Sequence, residues 1–212
     1  MNTWRLALSL LFLSAMFPSC ALRISNGTEV RVRASLGEGA AAGVALSDAR
    51  LSLDEITLVP CPGELEAHRW SLLSTARAHH TTADGRSLLE SQVSLGDTAD
   101  LGVLSPPPGR YCAVEVIVAP ARAAPLEGHT IRAELVRPRA RLEAVGNRLL
   151  ELPIAPFELN AATPSAELTL RIGLAEALSL LDLSLPGDDL ALDLLVALPD
   201  HAEALVAVDP PA

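Results

Sequence analysis

The 212-residue chain has no lysine, few aromatic residues and only three cysteines, and each scarcity limits what the protein can do. All 16 basic residues are arginines, which excludes Schiff-base chemistry, phosphate binding by a P-loop lysine and Ser-Lys catalytic dyads. An aromatic share of 3% is too small for a flavin, haem or base-stacking site. The formal net charge of −10 argues against nucleic acid as a partner.

The sequence also lacks the usual signatures of hydrolases and metalloenzymes. It contains no G-x-S-x-G elbow, no H-E-x-x-H helix and no D-x-D-x-D-G calcium loop. The adjacent carboxylates of Asp188 and Asp189 stand where a helix is expected to begin, so we interpret them as helix-capping residues. We therefore predict that the protein is not an enzyme.

One long apolar stretch is present, and it lies at the beginning of the chain. Arg5 precedes the apolar and small residues 6–17, and Pro18 follows them. A helix of this length spans about 18 Å, which is shorter than the roughly 30 Å core of a bilayer. The pattern predicts an export signal peptide rather than a membrane anchor. No later apolar run reaches the roughly 18 residues that a membrane helix needs.

Two cleavage sites fit the end of this stretch. In the first, residues 17–20 form a bacterial lipobox, and Cys20 becomes the lipidated N-terminus. In the second, a small-x-small site around the same cysteine releases a soluble chain that begins at Leu22. We favour the lipobox, which gives a signal peptide over residues 1–20 and a single domain over residues 21–212.

The lipobox interpretation also predicts where the protein resides. Its first partner would be the membrane, through a lipid anchor in the bacterial cell envelope, with the domain facing the periplasm. Ala21, rather than an aspartate, follows Cys20, which favours the outer membrane in organisms that use that sorting rule.

The two remaining cysteines are expected to pair with each other. An exported protein enters an oxidising compartment, so a Cys61–Cys112 disulfide is the default expectation. It would join a strand that ends at Cys61 to a strand that begins near Cys112. A closed loop of about 50 residues would stabilise the fold by roughly 3–4 kcal/mol in the chain-entropy model. Two free thiolates that bind Cu(I) are the alternative.

Apolar and polar residues alternate in short segments along most of the chain after residue 21, as is typical of β-strands. Residues 64–100 show no clear pattern. Many short strands separated by turns favour a mainly β fold, a single immunoglobulin-like β-sandwich with one or two short helices near the C-terminus. The predicted strands are a hairpin over 22–34, then 49–59 with a bulge near Asp54-Glu55, 111–118, 130–136, 148–154, 166–172 and 205–208, and the predicted helices are 174–181 and 188–198.

Charge is divided unevenly along the chain. Residues 22–148 carry 14 arginines against 15 acidic residues, whereas residues 149–212 carry one arginine against 11 acidic residues. The acidic part can face a basic partner or simply form a solvated surface. Four arginines close together in the first part are a candidate contact for anionic lipid headgroups near a lipid anchor. They are Arg132, Arg137, Arg139 and Arg141.

Three histidines are the best candidates for chemistry in the sequence. His68, His79 and His80 lie within thirteen residues of one another, with Trp70 nearby. Imidazole suits copper and zinc, and a metal site needs three or four ligands at about 2.0–2.3 Å from the ion. The pattern leaves two interpretations open, a metal site or a group of surface histidines on a polar loop.

The order of these features resembles a family of small bacterial secreted lipoproteins. A lipobox is followed by the alternating segment ALSDARLSLDEITLVPC over 45–61, by the turn and strand PPPGRYCAVEVIV over 106–118 and by a hydrophobic tail. This order is similar to that of the periplasmic copper-binding proteins of the MbnP type, which are associated with methanobactin operons and diheme MauG-like partners. The resemblance covers residues 44–120.

The resemblance implies an immunoglobulin-like sandwich with a copper site. In that family a diheme partner oxidises a tryptophan next to the copper to kynurenine. The resemblance makes Trp70 the candidate modified residue and makes His68, His79 and His80 the candidate copper ligands.

Two hypotheses about function follow from these observations. The first is an exported, lipid-anchored β-sandwich lipoprotein with a non-enzymatic binding or structural role and no cofactor. The second is a periplasmic copper-binding protein of the MbnP type, modified at Trp70 by a diheme peroxidase-like partner. Loss of bound copper on His79→Ala or His80→Ala would distinguish the second from the first.

Overall fold

The computed structural model describes residues 27–37, 39–63, 87–137 and 139–208, which form eleven β-strands and two short α-helices. The strands are β1 (Glu29–Leu36), β2 (Ala40–Ala41), β3 (Val44–Pro60), β4 (Ser87–Ser94), β5 (Thr98–Leu104), β6 (Gly109–Val118), β7 (Ile131–Arg137), β8 (Ala140–Ala144), β9 (Arg148–Leu159), β10 (Ser165–Ile172) and β11 (Ala202–Val208). The helices are α1 (Leu174–Ser179) and α2 (Gly187–Ala197), and a 3-10 helix, Leu198–His201, follows them.

The strands form two sheets around one hydrophobic core. The smaller sheet has the order β11-β10-β1-β5, and the larger has the order β8-β7-β3-β6-β9, with β2 and β4 also paired to β3. Every second residue of β1 and β10 is buried, as expected for strands that place one face on a core. β4 lies beside β5 and β9 lies beside β11, so the edges of the two sheets meet on both sides. The prediction of a mainly β sandwich with short helices near the C-terminus is confirmed.

β3 organises the larger sheet. Arg50 pairs with both β4 and β7, whereas Leu53 pairs with both β4 and β6. Because a strand has only two hydrogen-bonding edges, β6 and β7 lie end to end along the edge opposite β4. The register with β6 shifts between Leu53 and Glu55, which confirms the predicted bulge near Asp54-Glu55.

The connection between β10 and β11 contains both helices. α1 packs against β2 and β3, and α2 packs against β8. A Cβ on Gly187, the first residue of α2, would lie 2.6 Å from the carbonyl oxygen of Arg141, and one on Gly146 would lie 3.4 Å from Leu195 near the end of α2. α2 therefore runs along β8 and covers its outer edge, which would otherwise present unpaired backbone groups.

Three local predictions need correction or lie outside the described residues. Pro186 occupies the N-cap position of α2 and no side chain caps this helix, so the prediction that Asp188 is the cap is wrong. Regular alternation along the predicted strand 111–118 would place Cys112 on one face with Val114, but Tyr111 is buried instead, because a bulge before Ala113 interrupts the alternation. Residues 22–26 of the predicted N-terminal hairpin lie outside the described residues.

Candidate functional site

One end of the sandwich contains the disulfide and a run of three prolines. β1 and β6 begin at this end, and β3 ends there. We name it the disulfide end and define it by Thr28, Cys61, residues 106–108, Tyr111 and Cys112. It is built from a short loop between β5 and β6, in which the prolines restrict the backbone before the strand starts.

Cys61 and Cys112 form a disulfide between the end of β3 and the start of β6. Their Cα atoms lie 4.8 Å apart, within the range that disulfides require. The backbone N–H of Cys61 also donates to the carbonyl oxygen of Arg110 at 2.9 Å. The bond therefore joins neighbouring strands of one sheet, and the predicted cysteine pairing is confirmed.

Tyr111 attaches the proline run to the sheet. Its hydroxyl donates a hydrogen bond to the carbonyl oxygen of Pro107 at 2.6 Å, and the residue is only 2% exposed. Its ring packs against Phe157 of β9, with the ring centroids 5.7 Å apart. This contact resembles the tyrosine corner of sandwich domains, in which a tyrosine just before a cysteine bonds to backbone upstream. The sequence analysis missed it, although the spacing from Pro107 to Tyr111 directly before Cys112 carries the signal.

The first residues of β1 are attached to the same end. The hydroxyl of Thr28, which is buried, donates to the carbonyl oxygen of Pro106. The backbone N–H of Glu29 donates to the carbonyl oxygen of Pro164 at 2.8 Å, next to the start of β10. The chain that precedes β1 therefore joins the sandwich at the disulfide end.

The other predicted site residues lie outside the described residues. The described chain stops after Gly63 and resumes at Ser87, which pairs with Thr57 of β3. Lipidation, copper binding and tryptophan modification therefore stay predictions. The residues concerned are Cys20, His68, Trp70, His79 and His80.

The two described histidines, His129 and His201, are partly exposed. Within the ranges that the structure describes, no group of three or more His, Cys, Asp and Glu side chains is placed to hold a metal ion. His201 lines an open groove of about 350 Å³ between the end of β10 and the start of β11. In this groove Arg171 and Glu203 form an ion pair at 3.5 Å, and both side chains are more than half exposed. The groove has mixed charge and a solvated surface.

Glu143 is the centre of a polar cluster on β7 and β8. Its carboxylate accepts hydrogen bonds from Arg132 at 2.9 Å and from Arg141 at 2.6 Å. Partial burial acts to raise the pKa of Glu143, but the hydrogen bonds and positive charges of the two arginines outweigh it and hold the pKa below its usual range. Arg132 also donates to the carbonyl oxygen of Pro125 at 2.8 Å, which fixes the loop between β6 and β7. Two arginines of the predicted basic run are therefore paired with a carboxylate.

These observations define the class of protein as a mainly β, two-sheet sandwich with a cross-strand disulfide. No helix among the described residues combines the length and apolar character needed to cross a membrane. Comparison with models of known families, with curated proteins and with solved structures finds no match in any of the three. The disulfide end and the sequence are therefore the features of this chain that bear on its function.

Proposed function

We propose that the protein is an exported, lipid-anchored bacterial lipoprotein whose β-sandwich faces the periplasm and has a non-enzymatic binding or structural role. The Cys61–Cys112 disulfide is the observation that carries this proposal. Disulfides persist in oxidising compartments and are rare in the reducing cytosol, so the bond supports export. Export agrees with the signal peptide predicted from residues 6–17.

The position of the first described strand determines how an anchor at Cys20 would orient the domain. Thr28 is fixed to the disulfide end, and residues 21–26 separate Cys20 from the first described residue, Gly27. An extended segment of this length reaches only about 20 Å. A lipid on Cys20 would hold the disulfide end near the membrane surface, with the opposite end directed into the periplasm.

This orientation bears on the predicted contact between the basic run and lipid headgroups. The tip of the β7–β8 hairpin pairs with the beginning of β3, where Ala45 lies opposite Arg137. Pro60, at the other end of β3, lies beside the disulfide, about 50 Å further along the strand at ~3.3 Å per residue. Arg137 and Arg139 therefore lie far from the proposed anchor, so we do not propose a headgroup contact for them.

Copper binding of the MbnP type is the competing function. It depends on His68, His79 and His80 as ligands and on Trp70 as the residue modified by a diheme partner. These residues lie outside the described residues, so this alternative rests on the sequence alone.

Intact mass spectrometry of the full-length protein, purified from the envelope of copper-fed cells, tests both functions. We expect a chain that begins at Cys20 with a lipid on its thiol, an oxidised Cys61–Cys112 pair and no metal. An unlipidated chain that begins at Leu22 would contradict the anchor. One bound copper that disappears in His79→Ala would replace the proposed function with the competing one.

Cell fractionation provides the matched control. Cys20→Ala removes the lipid acceptor, so this variant should be lost from the membrane fraction. Cys61→Ala removes a cysteine of the same chain without touching the lipid acceptor, so the variant should stay in the membrane fraction. Equal retention of Cys20→Ala and the wild type would overturn the lipid anchor.

A further inference from the structure

β1 is the strand on which a pull at the N-terminal side of the described chain acts first. Residues 21–26 join Cys20 to Gly27, and β1 begins at Glu29, at the disulfide end. A lipid anchor on Cys20 would pull away from the disulfide end whenever the rest of the molecule is held. This force acts along the axis of β1, so the response of the fold depends on how β1 is attached to its neighbours.

β1 is paired along both edges in the smaller sheet. On one edge it pairs in parallel with β10 over its whole length, from Glu29 opposite Ser165 to Leu36 opposite Ile172. On the other edge it pairs antiparallel with β5. β1 therefore lies inside the sheet rather than at its edge, and it can leave only by breaking two ladders of backbone hydrogen bonds.

Side chains on both faces of β1 add to these ladders. Three inward side chains are fully buried in the core, those of Val30, Val32 and Ala34. On the outward face, the guanidinium of Arg33 lies 3.1 Å from the carboxylate of Glu167 on β10. The guanidinium of Arg31 lies 3.9 Å from the carboxylate of Asp100 on β5. Side chains as well as backbone therefore join β1 to both neighbouring strands.

The direction of a force decides how such ladders break. β10 is parallel to β1 and continues into α1 at the opposite end of the sheet, so a pull on the start of β1 slides the two strands past each other and strains the whole ladder at once. β11 offers the contrast, because it is antiparallel to β10 and its last residue, Val208, pairs with Ala166 at the disulfide end. A force between the start of β1 and the end of β11 runs across the strands, so it peels β11 from the sheet one hydrogen bond at a time.

We propose that β1 is a mechanical clamp, which transmits a pull on the lipid anchor at Cys20 to the sandwich without unfolding it. The pull reaches β1 in the sliding direction, in which the two ladders and the buried side chains resist together. Such a clamp lets the protein hold a load at its opposite end against the membrane, which is one form of the proposed structural role. The inference rests on the proposed function only for the source of the pull, since the clamp itself follows from the strand order.

Single-molecule force measurements on the full, disulfide-bonded chain test the proposal. One handle is attached to the unlipidated thiol of Cys20, and the other to an engineered cysteine at an exposed position. Arg171→Cys places the second handle at the far end of β10, so the pull slides β1 along β10. Ala207→Cys places it near the end of β11, so the pull peels β11 away. Forced unfolding is governed by the unfolding rate, so we expect a severalfold higher unfolding force in the sliding direction.

Val32→Ala separates a clamp from general stability. It leaves a cavity beside β1, so it should lower the unfolding force in the sliding direction and leave the peeling force unchanged. Val206→Ala on β11 is the matched control and should do the reverse. Equal forces in the two directions for the wild type, or an equal change in both directions for Val32→Ala, would overturn the proposal. Because Cys20 carries no lipid in this experiment, a missing lipid in the mass spectrum would contradict the anchor without altering the measured forces.

Discussion

The disulfide end and the helical connection, residues 173–201, close the same sandwich by different physical means. At the disulfide end, a covalent bond joins β3 to β6, and the hydroxyls of Thr28 and Tyr111 donate hydrogen bonds to proline carbonyl oxygens. In the helical connection, aliphatic side chains are buried, and the backbone of Gly187 lies directly against β8. The sandwich therefore depends on a covalent bond and hydrogen bonds at one place and on the packing of apolar side chains at the other. The two regions should therefore respond to different perturbations.

The largest expected effect concerns the disulfide. Replacing both cysteines, Cys61→Ala/Cys112→Ala, should lower the free energy of unfolding by about 4 kcal/mol, because the bond spans a separation of 51 residues. Urea unfolding measures the loss. Reductant should bring the wild type to a similar stability and leave the double variant unchanged. A loss below about 1 kcal/mol would show that noncovalent contacts alone close this end.

The second prediction tests the close packing of the helical connection by adding a methyl group where α2 meets β8. Gly187→Ala would place a Cβ 2.6 Å from the carbonyl oxygen of Arg141, and backbone cannot swing aside as a side chain can. We expect a loss of about 1–3 kcal/mol in the free energy of unfolding, even though alanine favours helix over glycine. Gly146→Ala is the matched control, since its nearest neighbour is the flexible side chain of Leu195 at 3.4 Å. Equal losses for both variants would contradict the close packing of α2 on β8.

The third prediction removes one hydroxyl from the disulfide end. Tyr111→Phe keeps the buried ring but deletes the hydrogen bond to the carbonyl oxygen of Pro107. We expect a loss of about 1 kcal/mol, the typical net value of such a bond, in thermal or urea unfolding. A thiol assay should show that the Cys61–Cys112 bond remains intact. Wild-type stability in this variant would mean that the proline run needs no attachment to Tyr111.

The smallest expected effect depends on pH. The folded pKa of Glu143 is lower than its unfolded value, so the carboxylate stabilises the fold above the unfolded pKa of about 4.3. This contribution is lost as the pH falls through the folded pKa. Glu143→Gln should therefore lower the free energy of unfolding at pH 7 by at most about 1 kcal/mol. The difference from the wild type should shrink below about pH 4 in urea titrations. A difference that grows on acidification would contradict the ion-pair cluster.

Strands with regular alternation and the pairing of the two cysteines could be predicted from the sequence. Alternation is a local pattern, and only two cysteines remain after the predicted signal peptide. β7 and β10 were predicted within a residue or two, and so was the disulfide. β5 was missed because Gly102, with a φ of 121°, interrupts its alternation and accompanies a register shift against β1. β8 was also missed, although its five residues, ARLEA, alternate between apolar and polar side chains.

The candidate site was predictable only in part. The pairing of Cys61 with Cys112 could be predicted from the oxidising compartment expected for an exported protein and from the number of remaining cysteines. The role of Tyr111 depends on the bulge before Ala113, which decides which side chain of β6 faces the core. The packing of α2 against β8 depends on the contact between Gly187 and Arg141, which are far apart in the sequence. Local sequence patterns could not predict this contact.

The position of β1 determines when the smaller sheet can form. β1 is the first described strand, yet it pairs in parallel with β10, which in turn pairs with β11 at the end of the described chain. In the proposed export the chain would cross the membrane from its N-terminus, so one edge of β1 would stay unpaired until the residues near 165–208 had followed. Pairing over such a long sequence separation is slow. The smaller sheet is therefore completed only after residues 165–208 are available, and a chain truncated before β10 would leave β1 with one unpaired edge.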